Sequence, residues 1–585
     1  MDPELSSGLR TPTSARVARP RAPVRAENPV NHARMAATPE SVTTERPQAD
    51  RIGGHLVAES LQALGAEAAF GVPGIHALAI WEGLRTGPLE VYGARTELCA
   101  GFAADGYARS SGRPAPLLLS TGPGALNSLT ALMEAASSHV PVVAISSQIP
   151  SALVGRGRGC LHELSDQRAS FAPVVKHAVR AQSVDSIPEL LAQAWQIALT
   201  PPSGPVYLEI PVDLLKAPAG RPAPRSLQAH PIRAAPRAEQ VSAAADRLRH
   251  ARRPVIWAGG GVIRSGAQEQ LRRLAELLDA PVATTYMGKG ALADDHPLAA
   301  GCGCDEAALQ ELLTGADVLL CLGTELGAET TGQYGLRFEG ELIQVDASPE
   351  RIGATYAARP LIADVRLTLQ ALLDELGGHT PAAADASARV SALRARIHAG
   401  LEAQGRATEI GLLRTIERVL PDDAITAWDM TILAYWAAPH LPLKTGQQFH
   451  YPLGSGTLGY AWPAAIGASI ANPDRPVLGV VGDGGLQYAL AEVGAAAAHG
   501  VGAKLLVVDD GGYGILREYQ RDEFGEETAV ELGHIDIAAV ARASGVPVVT
   551  ATPDDLDRQL SWALAQRGPA VVVLRERIAA AAPTP

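Results

Sequence analysis

The stretch VLGVVGDGGLQYALAEVGAAAAHGVGAKLLVVDDGGYG, residues 477–514, decides the fold of this chain. Apolar residues at 477–481 and 504–508 predict two buried β-strands, and the small residues at 486–499 between them predict a helix. Strands joined through a helix run parallel in one sheet. The carboxyl ends of both strands are therefore expected at the same edge of that sheet.

Acidic residues follow both predicted strands at this edge. Asp483 lies in the glycine turn after the first strand, and Asp510 ends the second strand. Open α/β sheets bind phosphates at such edges, beside the amino end of a helix. Mg²⁺ takes one or two carboxylates together with waters and phosphate oxygens. The sequence therefore predicts a magnesium ion that bridges a diphosphate onto the turn at Gly484 and Gly485, although many βαβ units carry an ordinary glycine turn there.

The spacing from the GDG turn to the acidic pair resembles the thiamine diphosphate motif, in which GDG and a later Asn-Asn pair hold Mg²⁺. This chain has Asp509-Asp510 in place of the two asparagines. The resemblance implies that Asp510 is a metal ligand beside the backbone carbonyl of Gly512, and that the extra negative charge favours the metal but opposes the diphosphate. It also implies cofactor contacts at the residues of the turn, Gly482, Gly484, Gly485 and Leu486.

Length and composition exclude several classes of protein. The 585 residues suffice for roughly three to four domains, and 47% of them are hydrophobic. A formal net charge of −12 without a basic stripe argues against general binding of nucleic acid. The sequence has no apolar run of about 18 residues, which argues against a membrane span. Five cysteines without CxxC spacing fit a reducing cytoplasm.

Helices alternate with apolar strands in three blocks of similar size. This alternation predicts an α/β fold of three doubly wound domains, each with a parallel sheet. The predicted boundaries are a disordered extension at 1–50, domains at 51–216, 240–376 and 401–580, and linkers at 217–239 and 377–400. Within the extension, Met35 is an alternative start.

The order of the blocks, with the metal motif in the third, is similar to the group of acetolactate synthases and 2-oxo acid decarboxylases. The similarity runs from residue 51 to 580. It implies a pyrimidine-binding, a central and a diphosphate-binding domain, in that order. It also implies a homodimer or homotetramer with the active site at the subunit interface, because Glu97 of one subunit would meet the diphosphate site of another.

Further residues of the cofactor site follow from this resemblance. Glu97, in a predicted helix of small residues, matches the glutamate that contacts the aminopyrimidine of the cofactor and drives its proton exchange. Leu458 matches the apolar wedge under the bent cofactor, and the carbonyl of Gly456 would accept from its amino group. Thr431 lies where the family touches the diphosphate, although the Gly-Gln-His of acetolactate synthases is missing there. Without the motif, Glu97 would be an ordinary helix-start residue and Leu458 a core residue.

Substrate selection is expected from the loop at 155–177. Acetolactate synthases place Phe-Gln-Glu where this chain has Leu161-His162-Glu163. His162 is therefore the candidate general acid/base, because only histidine titrates near neutral pH without perturbation; the alternative is a solvated loop histidine. Glu163 and Asp166 could receive a cationic substrate tail, and the LHELxDQ run resembles 5-guanidino-2-oxopentanoate decarboxylases. Tyr519 stands where acetolactate synthases carry a selective tryptophan.

The second block contains a possible nucleotide crevice. Three glycines, Gly259 to Gly261, follow a predicted strand, and Asp346 ends a later one. The spacing is not GxGxxG, so FAD, ADP or no ligand at all remain open for the central domain, and a dehydrogenase is the least favoured enzyme.

Taken together, the residues and the resemblance predict a thiamine diphosphate- and Mg²⁺-dependent enzyme of a small 2-oxo acid. The favoured activity is acetolactate synthase-like decarboxylation with ligation of the enamine intermediate to a second carbonyl. The alternative is a non-ligating decarboxylase that releases an aldehyde, as Leu161-His162 suggests. A non-catalytic partner subunit that only binds the cofactor is the alternative from another class, and the retained Glu97 argues against it.

Overall fold

Three parallel six-stranded sheets, each covered by helices, form the body of the protein. The computed structural model describes residues 51–85, 87–381, 384–533 and 535–580. The predicted α/β fold of three parallel-sheet domains is confirmed. The prediction of a disordered extension at 1–50 lies outside the described residues. No helix within the described ranges is long and apolar enough to cross a membrane.

The first sheet has the strand order β2-β1-β3-β4-β6-β5. Its strands are β1 (Ala68–Gly71), β2 (Glu90–Gly93), β3 (Ala115–Leu119), β4 (Val142–Gln148), β5 (His177–Arg180) and β6 (Val206–Pro211). Its helices are α1 (Gly53–Ala63), α2 (Leu78–Arg85), α3 (Glu97–Ser111), α4 (Pro123–Leu126), α5 (Leu129–Ser137), α6 (Gln167–Phe171), α7 (Ile187–Leu199) and α8 (Val212–Lys216). Strands β3 and β4 are buried along their whole length, as both faces of the sheet carry helices.

The second sheet has the order β12-β11-β10-β7-β8-β9. Its strands are β7 (Pro254–Ala258), β8 (Val282–Thr284), β9 (Ala299–Cys302), β10 (Val318–Leu322), β11 (Glu341–Asp346) and β12 (Arg359–Ile362). Its helices are α9 (Ala238–Arg249), α10 (Gly260–Ser265), α11 (Gln268–Leu278), α12 (Ala307–Thr314) and α13 (Val365–Glu375). The order reverses between β7 and β10, which leaves a crevice at the carboxyl ends of these two strands.

The third sheet has the order β14-β13-β15-β16-β18-β17. Its strands are β13 (Ile425–Trp428), β14 (Gln448–His450), β15 (Val477–Gly482), β16 (Lys504–Asp509), β17 (Val548–Ala551) and β18 (Ala570–Arg575). Its helices are α14 (Ala386–Ala403), α15 (Ala407–Val419), α16 (Ile432–His440), α17 (Ala461–Ala471), α18 (Asp483–Leu486), α19 (Glu492–His499), α20 (Gly514–Phe524), α21 (Ile537–Ala543) and α22 (Leu556–Leu564). The two strands that decided the fold, β15 and β16, are adjacent and parallel, as predicted.

The single helix predicted at 486–499 is wrong in its first half. Helix α18 ends at Leu486, tight turns follow, and α19 begins only at Glu492. Contacts with the first domain override the helical preference of these residues: the Tyr488 carbonyl accepts from Cys99 Sγ at 3.7 Å, and the Glu492 carboxylate accepts from the backbone N–H of Arg95 at 2.7 Å. The segment 377–400, assigned to a linker from its sequence, contains most of α14.

Helices α3 and α17 pack against each other so closely that they join the first and third domains into one core. A Cβ on Gly467 would lie 1.8 Å from the Ala103 carbonyl oxygen, and a Cβ on Gly106 would lie 2.1 Å from that of Ala464. Only glycine allows the two backbones to approach this far. The largest apolar cluster accordingly contains residues of both domains.

A buried ion network lies beside these two helices. Arg109 of α3 donates to Asp105 and, at 2.8 Å, to Glu134 of α5. Glu134 in turn accepts from the backbone N–H and the hydroxyl of Ser455, at 2.7 and 2.9 Å. The loop that precedes α17 in the third domain is therefore held by a carboxylate of the first.

Candidate active site

The turn after β15 and the end of β16 bring two carboxylates together. Strand register places Gly482 opposite Val508, so that Asp483 and Asp510 follow at the same edge of the sheet. The backbone N–H of Asp510 donates to Asp483 Oδ1 at 3.3 Å. A Cβ on Gly484 would lie 3.0 Å from the carbonyl oxygen of Gly512, so this third predicted ligand also lies beside the turn. The structure thus brings together all three residues predicted to hold a metal.

The electrostatics of this pair suit a divalent cation. Burial and the neighbouring Asp510 raise the pKa of Asp483 to about 7, and burial also raises the pKa of Asp510. Two carboxylates in such proximity repel each other as anions, and a cation between them removes that repulsion. Within the described ranges, no group of three or more His, Cys, Asp or Glu side chains could hold a metal. The other ligands of Mg²⁺ would then be backbone, phosphate or water oxygens, which that ion prefers.

Arginines offset the extra charge of the acidic pair. Asp509 lies 3.7 Å from Arg575 of the neighbouring strand β18, whose positive charge offsets that of this carboxylate. Arg517 and Arg577 act on Asp510 and lower its pKa against the effect of burial. The charge that was expected to oppose a diphosphate is therefore partly neutralised by the protein itself.

Glycines allow the turn Gly482–Gly485 to pack closely against its neighbours. A Cβ on Gly484 would lie 2.8 Å from the Tyr513 ring, and one on Gly482 would lie 3.0 Å from Thr431 Oγ1. Thr431 therefore lies against the turn, as predicted for a residue near the diphosphate. Backbone N–H groups without side chains in the way, next to a cation site, suit a diphosphate. The side chain of Leu486 is fully buried in the core, so only its backbone could contact a ligand.

Asp429, which the sequence analysis passed over, holds the loop that carries Gly456 and Leu458. Its buried carboxylate accepts from the backbone N–H groups of Gly459 and Ala461, at 3.2 and 3.1 Å. A Cβ on Gly485 would lie 2.9 Å from Asp429 Oδ1, so the same carboxylate also lies against the turn Gly482–Gly485. Burial raises the pKa of Asp429 to about 6. Gly456 has a φ of 66°, which favours glycine at this bend.

Glu97 begins helix α3 in the first domain. Its Oε2 accepts from the side-chain amide of Asn127 at 3.2 Å, and its Oε1 would lie 3.0 Å from a Cβ on Gly124. These contacts are made within its own domain, at the turn after β3. The helix packs on the third domain farther along, through Gly106.

His162 lies over the same turn. A Cβ on Gly122 would lie 2.9 Å from the Cβ of His162, and the backbone of His162 has a φ of 65°, a conformation that is strained for a side chain of this kind. Gln167 fixes the loop there, since its buried side chain accepts from the Gly122 N–H at 2.7 Å. The turn Gly122–Gly124 thus contacts both His162, at Gly122, and Glu97, at Gly124.

The residues predicted to select the substrate differ in their availability. Glu163 accepts from the backbone N–H groups of Cys160 and Arg158, at 2.9 and 3.2 Å, and these bonds lower its pKa. Asp166 accepts from the N–H of Ala169 at 3.1 Å at the start of α6. Both carboxylates therefore shape the loop. Leu161 and Tyr519 expose 62% and 58% of their surface, which leaves them free to contact another molecule.

His76 is a site residue that the sequence analysis missed. Its ring lies 5.3 Å from that of His162, centroid to centroid, at an angle of 65°. His76 lies in the loop after β1, and β1 is a neighbour of β3 in the sheet, so this loop lies at the same edge as Gly122. The sequence shows that His76 follows a predicted strand, but it does not show which strands are neighbours.

A cavity of about 310 Å³ lies at the carboxyl edge of the central sheet. It is lined by Gly260, Gly261, Arg264, Gly323 and Asp346, among others. Gly261 and Gly323 touch, since a Cβ on Gly261 would lie 2.6 Å from the Gly323 Cα. The triple glycine and Asp346 singled out in the sequence thus line one crevice at the point where the strand order reverses.

Family comparisons match all three domains. The N-terminal thiamine pyrophosphate (TPP) binding domain of thiamine pyrophosphate enzymes matches residues 51–170, and the central domain of these enzymes matches 241–372. Their C-terminal TPP binding domain matches 429–574.

Curated relatives align over most of the chain. A Pseudomonas aeruginosa protein named probable 2-ketoarginine decarboxylase AruI is 38% identical over 541 residues, which cover 91% of this chain and 96% of that protein. An acetolactate synthase of Mycobacterium bovis is 33% identical over 485 residues, which cover 80% of this chain and 77% of that protein. A probable acetolactate synthase large subunit of Methanocaldococcus jannaschii is 30% identical over 542 residues, 88% of this chain and 90% of its own.

Proposed function

Because this chain belongs to the family of thiamine pyrophosphate enzymes, we propose that it is a Mg²⁺-dependent decarboxylase that converts a 2-oxo acid to an aldehyde and CO₂. The single observation that carries the choice of aldehyde release is the position of His162 over the turn Gly122–Gly124, which Glu97 also contacts. An acid/base group there can deliver the proton that replaces CO₂.

The residues around the metal turn fit the cofactor. Asp483, Asp510 and the Gly512 carbonyl would hold Mg²⁺, and the turn Gly482–Gly485 would hold the diphosphate. Thiamine diphosphate, when bound, supplies the nucleophilic carbon and the electron sink for loss of CO₂. Asp429 keeps the loop with Gly456 and Leu458 against this turn, where these two residues would orient the cofactor.

The substrate we propose is 2-ketoarginine, the compound in the name of the Pseudomonas relative. The same compound, 5-guanidino-2-oxopentanoate, was suggested by the loop at 161–167. Glu163 accepts from two backbone N–H groups and is partly buried, whereas Asp166 accepts from one and is exposed, and the ring of Tyr519 is exposed. Asp166 and Tyr519 are therefore the more available of the predicted substrate residues. A carboxylate and a ring both suit a guanidinium tail.

Carboligation is the second candidate. The acetolactate synthases among the relatives favour it, and so does the exposed ring of Tyr519 on α20 where those enzymes carry tryptophan. In that case the decarboxylated substrate would add to a second carbonyl compound instead of a proton.

We further propose a homodimer or homotetramer with the active site at the subunit interface. In support, Glu97 makes its contacts within the first domain, at the turn after β3. Apolar side chains are also exposed on the two surfaces that such an interface would cover, one in the first domain and one in the third. They are Ile75 and Leu161 in the first domain and Leu516, Tyr519 and Phe524 on α20. Mixing the inactive variants Glu97→Gln and Asp483→Ala tests this: reassorted dimers should recover about a quarter of the parent activity if the two residues act across subunits, and none if they act within one.

For the central crevice we propose a bound nucleotide such as FAD or ADP, because it lies where doubly wound sheets bind nucleotides. Denaturing the purified protein and identifying any released nucleotide by absorbance and chromatography is the test.

The five free cysteines support the cytoplasmic location predicted from their spacing.

Product analysis by NMR tests the activity. The purified protein, with thiamine diphosphate and Mg²⁺, is given 2-ketoarginine and, in a separate reaction, pyruvate. We expect a guanidino aldehyde and CO₂ from the first and little conversion of the second. Acetolactate from pyruvate would contradict the decarboxylase and favour the ligase, and reactions without cofactor serve as the control.

A further inference from the structure

We propose that His76 is a second acid/base residue of this site and acts as a pair with His162 on the 2-oxo acid. The inference rests on the proposed function, because it concerns the protons that decarboxylation to an aldehyde requires. It adds a residue to which the motifs in the sequence gave no role.

Three neighbouring strands of the first sheet deliver the residues concerned. His76 lies in the loop after β1, Ser120 directly follows β3, and His162 lies in the long loop after β4. In the sheet β3 lies between β1 and β4, so their carboxyl ends meet at one edge. A Cβ on Gly74 would lie 2.4 Å from Ser120 Oγ, which shows how closely the first two loops approach.

The two rings are in contact and each presents an unpartnered nitrogen. His76 and His162 meet edge to face, with centroids 5.3 Å apart. The Nδ1 atoms of both rings and Ser120 Oγ are shielded from solvent, and none of the three has a hydrogen-bond partner in the part of the chain that the structure describes. Buried polar atoms almost always have a partner. Three such atoms at one place indicate a site built to bind a polar molecule.

The charges around the pair favour a single shared proton. Burial, His162 and Lys216 at the end of α8 all lower the pKa of His76. Of the carboxylates nearby, Glu163 is engaged by backbone N–H groups of its own loop and Glu97 by Asn127. Two imidazolium ions in contact would repel each other, so the second proton binds only at lower pH than the first. One ring is then a proton donor while the other is an acceptor.

Release of an aldehyde needs both of these roles at adjacent atoms. The reaction R–CO–COO⁻ + H⁺ → R–CHO + CO₂ breaks one C–C bond, and the electron pair of that bond takes up a proton to form the new C–H bond. The substrate oxygen, which gains a proton on entry into the reaction, must lose it again when the C=O bond re-forms. The protonated ring donates to the carbon, the neutral ring accepts from the oxygen, and the solvent supplies the one proton consumed per turnover.

The activity test uses the holoenzyme and four variants. We expect His76→Gln and His162→Gln each to lower kcat on 2-ketoarginine by about 10- to 100-fold. The double variant should be at most a few-fold slower than the slower single one, because the rings act as a unit. With an added aldehyde acceptor, His76→Gln should also raise the fraction of ligated product, since protonation is what competes with ligation. His250→Gln, at an exposed position directly after α9, is the matched control and should change nothing.

A titration provides a readout that needs no turnover. In protein labelled with ¹³C-histidine and free of cofactor, the His76 resonance is followed from pH 5 to 9. His162→Gln should raise the His76 midpoint by about 0.5 pH units, the effect of a unit charge at the observed ring distance in a water-like medium. His162→Asn, checked for folding by its thermal transition, replaces the glutamine variant if that one does not fold.

The outcomes separate the pair from the proposed function. Full turnover by His76→Gln, or a His76 midpoint that does not move in His162→Gln, would overturn the pair and leave the decarboxylase intact. If the parent converts no 2-oxo acid at all, the proposed function fails, and the titration alone decides whether the two rings share a proton.

Discussion

Glu97 is the residue on which turnover should depend most strongly. It lies at the turn Gly122–Gly124 and accepts from Asn127. Glu97→Gln keeps the shape and the hydrogen bond to Asn127 but removes the carboxyl group that we propose to exchange a proton with the pyrimidine. We expect kcat to fall by roughly 100- to 10,000-fold. Glu350→Gln, an exposed carboxylate in the central domain, is the control, and a near-normal rate for Glu97→Gln would remove this residue from the mechanism.

The acidic pair offers a second test at the scale of single residues. Asp510→Asn should weaken Mg²⁺ binding by roughly tenfold, because a neutral amide oxygen replaces a carboxylate beside Asp483. Asp509→Asn should leave Mg²⁺ binding unchanged, because that carboxylate faces Arg575. The measurement is quenching of tryptophan fluorescence by cofactor at increasing Mg²⁺ concentrations. Equal effects of the two substitutions would contradict the assignment of Asp510 as the ligand.

At the scale of elements, the contact between α3 and α17 depends on glycine. Gly467→Ala would push a methyl group into the Ala103 carbonyl, 1.8 Å from the ideal Cβ position. Overpacking of this kind costs about 1–3 kcal/mol, and we expect the urea midpoint of unfolding to fall accordingly. Gly411→Ala in the middle of α15, where nothing lies within 4 Å, should instead be neutral or slightly stabilising. A stable Gly467→Ala protein would show that the two helices can separate without loss.

The elements also show what the sequence could and could not predict. Strands β15 and β16 were predictable because a buried parallel strand is a continuous apolar run. The break between α18 and α19 was not, because Cys99 and Arg95, far away in the chain, impose it. The proximity of Asp483 and Asp510 was predictable since one βαβ unit carries both residues. His76, Gln167 and Asp429 were missed because each becomes a neighbour of the site only through strand order or through a loop fixed by distant atoms.

For the molecule as a whole, one buried histidine links stability to pH. His450 of β14 is fully enclosed, and burial together with Arg109 and Arg475 lowers its pKa to about 3. In the unfolded chain its pKa is near 6.5, so below that pH only the unfolded state takes up the proton. The contribution of His450 is therefore complete above pH 6.5 and is lost as the pH falls toward 3.

This dependence can be measured by substitution. Between pH 7.5 and 5.5, His450 should account for about 1.4 kcal/mol of the decrease in the free energy of unfolding. His450→Gln, which cannot titrate, should reduce the decrease by that amount in urea unfolding at the two pH values, whatever it does to stability at pH 7.5. The exposed His250→Gln should leave the decrease unaltered. An identical decrease in His450→Gln and the parent would mean that His450 takes up protons equally in the folded and the unfolded state, which would contradict a lowered pKa.

The hydrogen bonds from Ser455 to Glu134 limit how domains can be exchanged between related proteins. The loop that would orient the cofactor belongs to the third domain, yet its backbone is fastened to a carboxylate of the first. A chimera that takes residues 401–580 from one relative and residues 51–216 from another therefore inherits a loop without its matching anchor, and Gly106 and Gly467 must also agree across the junction. Exchange of these domains between relatives should therefore give a folded protein only when the first and the third domain are both taken from the same relative.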